Sequence, residues 1–220
     1  MTRILSSKKL LPNQKQYLLN AGLSVVEANF IAIKFNPFVT SGISENLIFT
    51  STNAFKSFLQ NEVSSRLKSR RIFCVGSKTK EFIEEAGFKV VESADYASEL
   101  SQIIVESHQD KAFTFFSGSM RRDTLPEALK NAGVVCSEIE VYETVLTPHK
   151  INTALDGLLF FSPSGVESFL LENKITNQTC FCIGTTTAEA LAAVTDNIVV
   201  ANKPTVENVV VQCINYYKDN

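Results

Sequence analysis

The sequence predicts an α/β protein made of two similar doubly wound parallel-sheet domains with a cleft between them. Three observations carry that prediction. The chain of 220 residues repeats itself at about half its length. Leu47-Ile48-Phe49-Thr50-Ser51 returns as Leu158-Leu159-Phe160-Phe161-Ser162, and Leu19-Asn20-Ala21-Gly22 returns as Lys130-Asn131-Ala132-Gly133, both at an offset of 111. Phe73-Cys74-Val75-Gly76 returns as Phe181-Cys182-Ile183-Gly184 at an offset of 108. Such a period is the size of a small domain, far longer than a solenoid repeat, and two like domains leave a cleft of the kind ligands favour. Second, short β-branched and aromatic runs alternate with amphipathic stretches, the pattern of parallel sheets covered by helices. Third, several of the short runs are apolar throughout, as strands covered on both faces require.

Taken along the chain, strands are expected at Arg3–Ser6, Ser24–Glu27, 47–50, 72–75, 89–91, 113–116, 141–145, 158–161, 181–183 and 198–201. Helix patterns fill the intervals at 13–20, 54–67, 80–86, 98–106, 125–131, 166–171, 188–194 and 206–217. Thr124 and Glu127 have the spacing of a capping box, and Pro126 is tolerable in a first helical turn. Gly22, Gly87 and Gly133 each follow a helix pattern, where a left-handed residue closes the helix. The linker-like stretches are 35–44 and 146–152, each with a proline and each preceding a copy of the repeated strand. If the repeat reads a, b, c, d twice, these stretches fall after each a rather than after d. One domain can then combine the first a with the last b, c, d, and the other b, c, d with the second a. A simple tandem order also fits the residues.

Composition narrows function mainly by exclusion. Hydrophobic residues make up 45% and charged residues 20%, ordinary for a chain that buries a core. A net charge of −2 gives no global field to recruit nucleic acid or a membrane surface. No apolar run reaches transmembrane length and the start of the chain lacks the apolar stretch of a signal peptide, so a cytoplasmic location is expected. The five cysteines lack C-x-x-C spacing, and Cys74, Cys180 and Cys182 sit in apolar runs, reading as small buried hydrophobes. His108 and His149, the two histidines, lie in polar stretches, which leaves a histidine triad or metal centre poorly supported.

Polar turns follow nearly every strong strand: Thr50-Ser51-Thr52-Asn53, Gly76-Ser77-Lys78-Thr79, Ser117-Gly118-Ser119-Met120-Arg121-Arg122, Ser162-Pro163-Ser164-Gly165 and Gly184-Thr185-Thr186-Thr187. Pro204-Thr205 opens the last helix in the same way. In a doubly wound sheet such turns lie at the carboxyl edge, where ligands bind. Free N–H groups and the positive end of each helix dipole point outward there, suiting carboxylates or phosphates. Any single turn is also an ordinary N-cap, and none is a nucleotide-binding loop. Arg121 and Arg122 fit either a solvated helix start or an anion contact. Tyr142, on the alternating stretch Glu140-Val141-Tyr142-Glu143-Thr144, fits either interdomain packing or catalysis.

These turns in this order resemble the uroporphyrinogen-III synthase family. The resemblance runs through 47–54 (LIFTSTNA), 115–144 with SGSMRRDTLPEALKNAG and VYET, 159–166 (LFFSPSGV), 183–191 (IGTTTAEAL) and 203–209 (KPTVENV). It implies two α/β domains joined by a two-stranded linker, one from 1–34 plus 147–220 and the other from 35–146. It implies closure of hydroxymethylbilane, a linear tetrapyrrole with eight carboxylates, to a macrocycle with inversion of the last ring and loss of water. No cofactor and no metal are implied. Tyr142 is the implied catalytic residue. Lys8, Thr50, Ser51, Thr79, Arg121, Arg122, Ser162, Ser164, Thr186 and Thr187 are the implied substrate contacts. A monomer, with transient handover of substrate from hydroxymethylbilane synthase, is expected. Lys8 stands where many members carry arginine, which keeps the charge but loses bidentate carboxylate binding, and Gly184-Thr185 stands where Gly-Pro is common. The competing reading is a non-enzymatic two-domain binding module for a small anionic ligand.

Overall fold

The structure is a computed structural model and describes residues 1–39 and 41–219. Thr40, within the expected linker stretch 35–44, and Asn220 lie outside the described residues. In chain order the first elements are β1 (Arg3–Ser6), α1 (Pro12–Asn20), β2 (Ser24–Glu27), β3 (Ile31–Phe35), β4 (Asn46–Phe49), α2 (Thr52–Gln60), a 3₁₀ turn (Glu62–Leu67), β5 (Arg71–Val75), α3 (Ser77–Glu85) and β6 (Val90–Ala94). Then come α4 (Ala97–Ser107), β7 (Phe113–Gly118), α5 (Thr124–Asn131), β8 (Cys136–Leu146), β9 (Gly157–Phe160), α6 (Pro163–Glu172), β10 (Thr179–Cys182), α7 (Thr185–Glu189), β11 (Ile198–Val200) and α8 (Val206–Asp219).

The chain divides into two compact units, Met1–Ala32 with Val145–Asn220, and Ile33–Thr144. The first holds a five-stranded sheet of order β11-β10-β9-β1-β2, and the six-stranded sheet has order β3-β8-β7-β4-β5-β6. Each pairing whose register is described is parallel. The chain passes between units inside β3 and inside β8, which are neighbours in the six-stranded sheet.

Alternation along the strands explains why each sheet is covered on both faces. In the contiguous unit, Leu47, Phe49, Ile72, Cys74 and Phe116 pack with Ala54, Phe55, Phe58 and Ile83 of α2 and α3. Their strand neighbours Ile48, Phe73, Phe113 and Phe115 turn to the other face, against Leu100, Ile104, Leu125 and Leu129 of α4 and α5. The discontinuous unit repeats the scheme. Ile4, Leu159 and Phe181 meet α1 and α8 through Leu18, Val209, Val210 and Cys213, while Leu5, Leu158, Phe160, Cys180 and Cys182 meet Val166 and Phe169 of α6. Burial raises the thiols of Cys180, Cys182 and Cys213 to about 12 and that of Cys74 to about 11. Such thiols are neutral packing groups.

Helices α1, α3 and α5 end alike. Gly22, Gly87 and Gly133 take φ of 79°, 80° and 74°. The next residue in each case sends its N–H back into the last helical turn: Leu23 to Leu18 at 3.1 Å, Phe88 to Ile83 at 3.2 Å and Val134 to Leu129 at 2.9 Å. A buried apolar residue after the glycine thus locks each helix end.

The structure departs from the sequence expectations at several elements. The helix expected at 54–67 starts at Thr52 and breaks after Gln60 into a 3₁₀ turn. Asn61 causes the break: its backbone is extended and its Oδ1 accepts the N–H of Val63 at 3.1 Å, opening a new turn. Thr124 is the first residue of α5 rather than its cap, so the Thr124–Glu127 capping box does not form; Asp123 occupies the cap position. The helix at 188–194 starts three residues early, at Thr185, and gives way after Glu189 to tighter turns such as Leu191 N–H to Ala188 O. Strand β3 falls where no element was expected, and β8 runs for 11 residues where five were expected. Both are only half-buried, so neither carries the continuous apolar signal of a central strand.

Candidate functional site

Topology singles out certain turns in each unit. In an open parallel sheet the crevice for a ligand forms outside the carboxyl ends of the two strands where the winding direction reverses. In the discontinuous unit these are β1 and β9, in the contiguous unit β4 and β7. The turns at these ends are Ser7-Lys8 with 162–164, and Thr50-Ser51 with 118–122. They contain Lys8, Ser162 and Ser164 in one unit and Thr50, Ser51, Arg121 and Arg122 in the other.

The turn after β9 is a prolyl helix start. Ser162 has an extended backbone and its Oγ accepts the N–H of Gly165 at 3.1 Å, with Pro163 in the first turn of α6. Ser164 is buried and its Oγ lies 3.1 Å from Ser162 Oγ. Ser7, from the adjacent turn, packs alongside: a Cβ on Gly165 would stand 3.3 Å from Ser162 Oγ and 3.6 Å from Ser7 Oγ.

The turn after β1 is held at nearly every residue. Ser6 Oγ donates to Lys8 O at 2.6 Å, Ser7 N–H to Leu159 O at 3.0 Å, Lys9 N–H to Asn29 Oδ1 at 2.8 Å and Leu10 N–H to Glu27 Oε1 at 2.7 Å. Glu27 also pairs with Lys15 at 2.5 Å. Burial pushes the Glu27 carboxyl up, but the hydrogen bonds from Lys15 and Leu10 outweigh it and hold its pKa below the ordinary value. Lys8 is half-buried with Nζ 4.9 Å from the centroid of Phe161.

In the contiguous unit Ser51 Oγ accepts the N–H of Ala54 at 3.1 Å and donates to Tyr142 Oη at 3.1 Å. Tyr142 comes from β8 through a register shift: Ser117 pairs with Glu140, but Gly118 pairs with Tyr142, leaving Val141 as an extra residue. Val141 is buried and its carbonyl accepts from Ser57 Oγ at 2.5 Å and from the N–H of Asn36 at 2.9 Å. Bulges of this kind re-aim a side chain.

Arg121 and Arg122 are placed differently. Arg121 pairs through Nε and Nη2 with the two oxygens of Glu138, at 2.8 Å for the Nη2 contact, and through Nη1 with Asp123. Glu138 first, and Asp123 with it, hold the guanidinium protonated well above its ordinary pKa. Burial pushes Glu138 up, but hydrogen bonds from Arg121 and Ser117 leave it below the usual carboxylate range. Arg122 is exposed. Thr79 and Thr187 lie at the ends of β5 and β10, one strand away from the reversal. Both are buried in first helical turns, and each N–H donates to the glycine three residues back at 3.1 Å. Thr186 is half-buried beside Thr187. A cavity of about 570 Å³ lies beside Gly76 and Ser77, lined also by Lys80, Ser93, Asp95 and Glu99.

The sequence reading singled out Ser51 and Tyr142 separately and the structure brings them into contact. It gave no role of their own to Gly118, Ser119, Ser57 or Glu27, whose contacts reach across 12 to 84 residues. A glycine ending a fully buried strand was the one available signal. Among the described residues no three His, Cys, Asp or Glu side chains are grouped as a metal ion would need, and no helix is long and apolar enough to cross a membrane.

Fold and site together define a class: paired doubly wound units presenting small hydroxyl-bearing helix starts at their strand ends. A family model described as Uroporphyrinogen-III synthase HemD matches residues 14–210. Uroporphyrinogen-III synthase of Chlorobaculum parvum is 29% identical over 168 residues, 66% of this chain and 68% of that protein. The Saccharomyces cerevisiae protein of the same name is 31% identical over 111 residues, 46% of this chain and 40% of its own length. Among solved structures, uroporphyrinogen-III synthetase from Helicobacter pylori 26695 superimposes with a TM-score of 0.77 at 19% identity, covering 98% of this chain and all (100%) of that one. A mutant uroporphyrinogen III synthase from the extremely thermophilic bacterium Thermus thermophilus gives 0.69 at 14% identity over 100% of both chains. The chain belongs to the uroporphyrinogen-III synthase family, and is by that membership an enzyme of tetrapyrrole biosynthesis, a cyclising hydro-lyase.

Proposed function

We propose that the protein closes hydroxymethylbilane to uroporphyrinogen III with Tyr142 as the group that acts on the departing hydroxyl. The observation that carries this reading is the Ser51–Tyr142 hydrogen bond at 3.1 Å. Ser51 is the donor, so the phenolic proton of Tyr142 is not spent on Ser51. In the proposed reaction the C–O bond of the first ring's hydroxymethyl group breaks, pushed by the pyrrole nitrogen, and Tyr142 donates the proton that lets oxygen leave as water. The azafulvenium cation so formed, its N–H retained, is attacked by the substituted carbon of the last ring. The spiro intermediate opens, the ring turns over, and closure follows at its other carbon. The proton lost as that ring regains aromaticity returns to Tyr142. A positioned acid supplies about 10²–10⁴-fold.

The substrate also closes unaided to the uninverted isomer, so the enzyme's task is to favour one closure by holding the chain. The eight carboxylates are assigned to many small donors: Thr50, Ser51, Thr79 and Arg122 in one unit, and Lys8, Ser162, Ser164, Thr186 and Thr187 in the other. Main-chain N–H groups at these helix starts share the load. Arg121 serves as a strut for the turn that carries Arg122, because its guanidinium already meets Glu138 and Asp123. The two units are read as the family's two domains, with β3 and β8 as the two-stranded linker. The protein is further proposed to act as a cytoplasmic monomer that receives substrate by transient handover from hydroxymethylbilane synthase.

The decisive experiment generates hydroxymethylbilane in place from porphobilinogen and its deaminase and separates the oxidised products by isomer. Isomer III in excess is the expected result. A mixture matching the enzyme-free control, nearly all isomer I, would sink the proposal.

A further inference from the structure

Tyr142 is held on three sides, and one of them is an absence. The ring lies across Gly118, the last residue of β7: a Cβ built there would stand 2.2 Å from Cζ and 2.6 Å from both Cε atoms of Tyr142. No side chain fits at that distance, so the ring occupies the volume that any other residue at 118 would fill. Two hydrogen bonds of Ser119, one through its main chain and one through its side chain, fix the strand that carries the ring. Ser119 N–H donates to Tyr142 O at 3.0 Å, and Ser119 Oγ accepts the N–H of Thr144 at 3.1 Å. The hydroxyl end is met by Ser51. The bulge at Val141 is what brings Tyr142, rather than its predecessor, opposite Gly118.

We propose that Gly118 is a positioning residue for the reaction: by lacking a side chain it seats the Tyr142 ring so that its hydroxyl meets Ser51 and faces the substrate. Its φ lies outside the left-handed region, so the demand for glycine here comes from the ring and not from the backbone. The inference rests on the reading that Tyr142 acts on the substrate. Alanine at 118 would force the ring off its seat, and because the clashing atoms are the far end of a side chain, the ring can swing away while the strand persists. Small misplacements of a reacting group cost about a hundredfold in rate.

The test is a four-member cycle of wild type, Gly118→Ala, Tyr142→Ala and the double variant. The readouts are kcat, KM, the share of isomer III and the thermal midpoint. The expected result is that Gly118→Ala lowers kcat and the isomer III share about as far as Tyr142→Ala does, with KM within about twofold of wild type. Adding Gly118→Ala to Tyr142→Ala should then change nothing further, because the seat has no ring to hold. Wild-type kcat and isomer share in Gly118→Ala, beside an impaired Tyr142→Ala, would overturn the positioning role alone. So would an effect of Gly118→Ala that persists undiminished in the double variant. Full activity of Tyr142→Ala would instead overturn the assignment of Tyr142 and the seat's role with it. If Gly118→Ala does not fold, the double variant reads the same contact: it is expected to fold and to behave as Tyr142→Ala, and a double variant no more stable than the single would overturn the proposal.

Discussion

Ser51 and Ser162, 111 residues apart, do the same work: each has an extended backbone and an Oγ that accepts the N–H three residues on, at 3.1 Å. The internal repeat therefore preserves a hydrogen bond and not merely a string of apolar residues. The two differ in what else they meet. Ser162 faces Ser164, whereas Ser51 gives its proton to Tyr142.

Loss of either cap should cost about 1 kcal/mol of stability. Ser51→Ala and Ser162→Ala are thus expected to lower the thermal midpoint by similar amounts. Only Ser51→Ala should also release the Tyr142 hydroxyl, and a larger loss of isomer III in that variant than in Ser162→Ala would show it. Equal product mixtures from both would count against a special role for Ser51.

Tyr142→Phe keeps the ring on Gly118 and removes only the hydroxyl. Turnover should fall about a hundredfold or more if that hydroxyl is the acid, while stability changes by about 1 kcal/mol for one lost hydrogen bond. Steady-state kinetics together with a melting curve separates the two effects. Unchanged kcat in a well-folded variant would remove Tyr142 from the acid role.

The paired arginines should divide cleanly. Arg122→Ala removes an exposed charge and is expected to raise KM about fivefold, the ~1 kcal/mol of a solvent-exposed charge contact, at unchanged stability. Arg121→Ala strands Glu138 and Asp123 and should lower the thermal midpoint and kcat together. The reverse pattern, a KM effect from Arg121 alone, would reassign the substrate contact.

Acid should loosen the turn that carries Lys8. The folded pKa of Glu27 lies below its ordinary value, so its contribution to stability is present above the unfolded value of about 4.3 and is lost as pH falls through the folded one. Melting the wild type and Glu27→Gln from about pH 6 to about pH 3 should show a shallower acid-side decline in the variant. Parallel declines would mean that other carboxylates carry the acid sensitivity.

Much of this architecture was legible because its signals are local. The buried strands announce themselves as apolar runs such as Leu47-Ile48-Phe49 and Leu158-Leu159-Phe160. The helix ends announce themselves as Gly22, Gly87 and Gly133, where φ is positive. The half-buried strands did not, since β3 alternates between half-buried and exposed residues at the edge of its sheet. The break at Asn61 turns on one side chain competing with the helix for a backbone N–H, which periodicity does not register. In the candidate site, hydroxyl-rich turns were readable as a class, but the partner of each was not. That Arg121 meets Glu138 while Arg122 is exposed, or that a tyrosine ring rests on Gly118, depends on strand register, and register across separate strands is written only in the folded chain.

The strand order has a consequence for how this protein is made. The sheet of the unit Ile33–Thr144 draws its central strands from one continuous stretch and can close as soon as that stretch has left the ribosome. β1 is in the opposite position. It lies at the centre of its sheet between β2 and β9, with Ile4 and Leu5 buried on opposite faces. Its second partner begins only at Gly157. During synthesis β1 therefore waits, one edge unpaired, until the unit Ile33–Thr144 has been completed. Exposed strand edges of that kind invite misassembly. A strand made before the unit Ile33–Thr144 thus gains its second partner only after it, and chaperone dependence during translation should centre on β1.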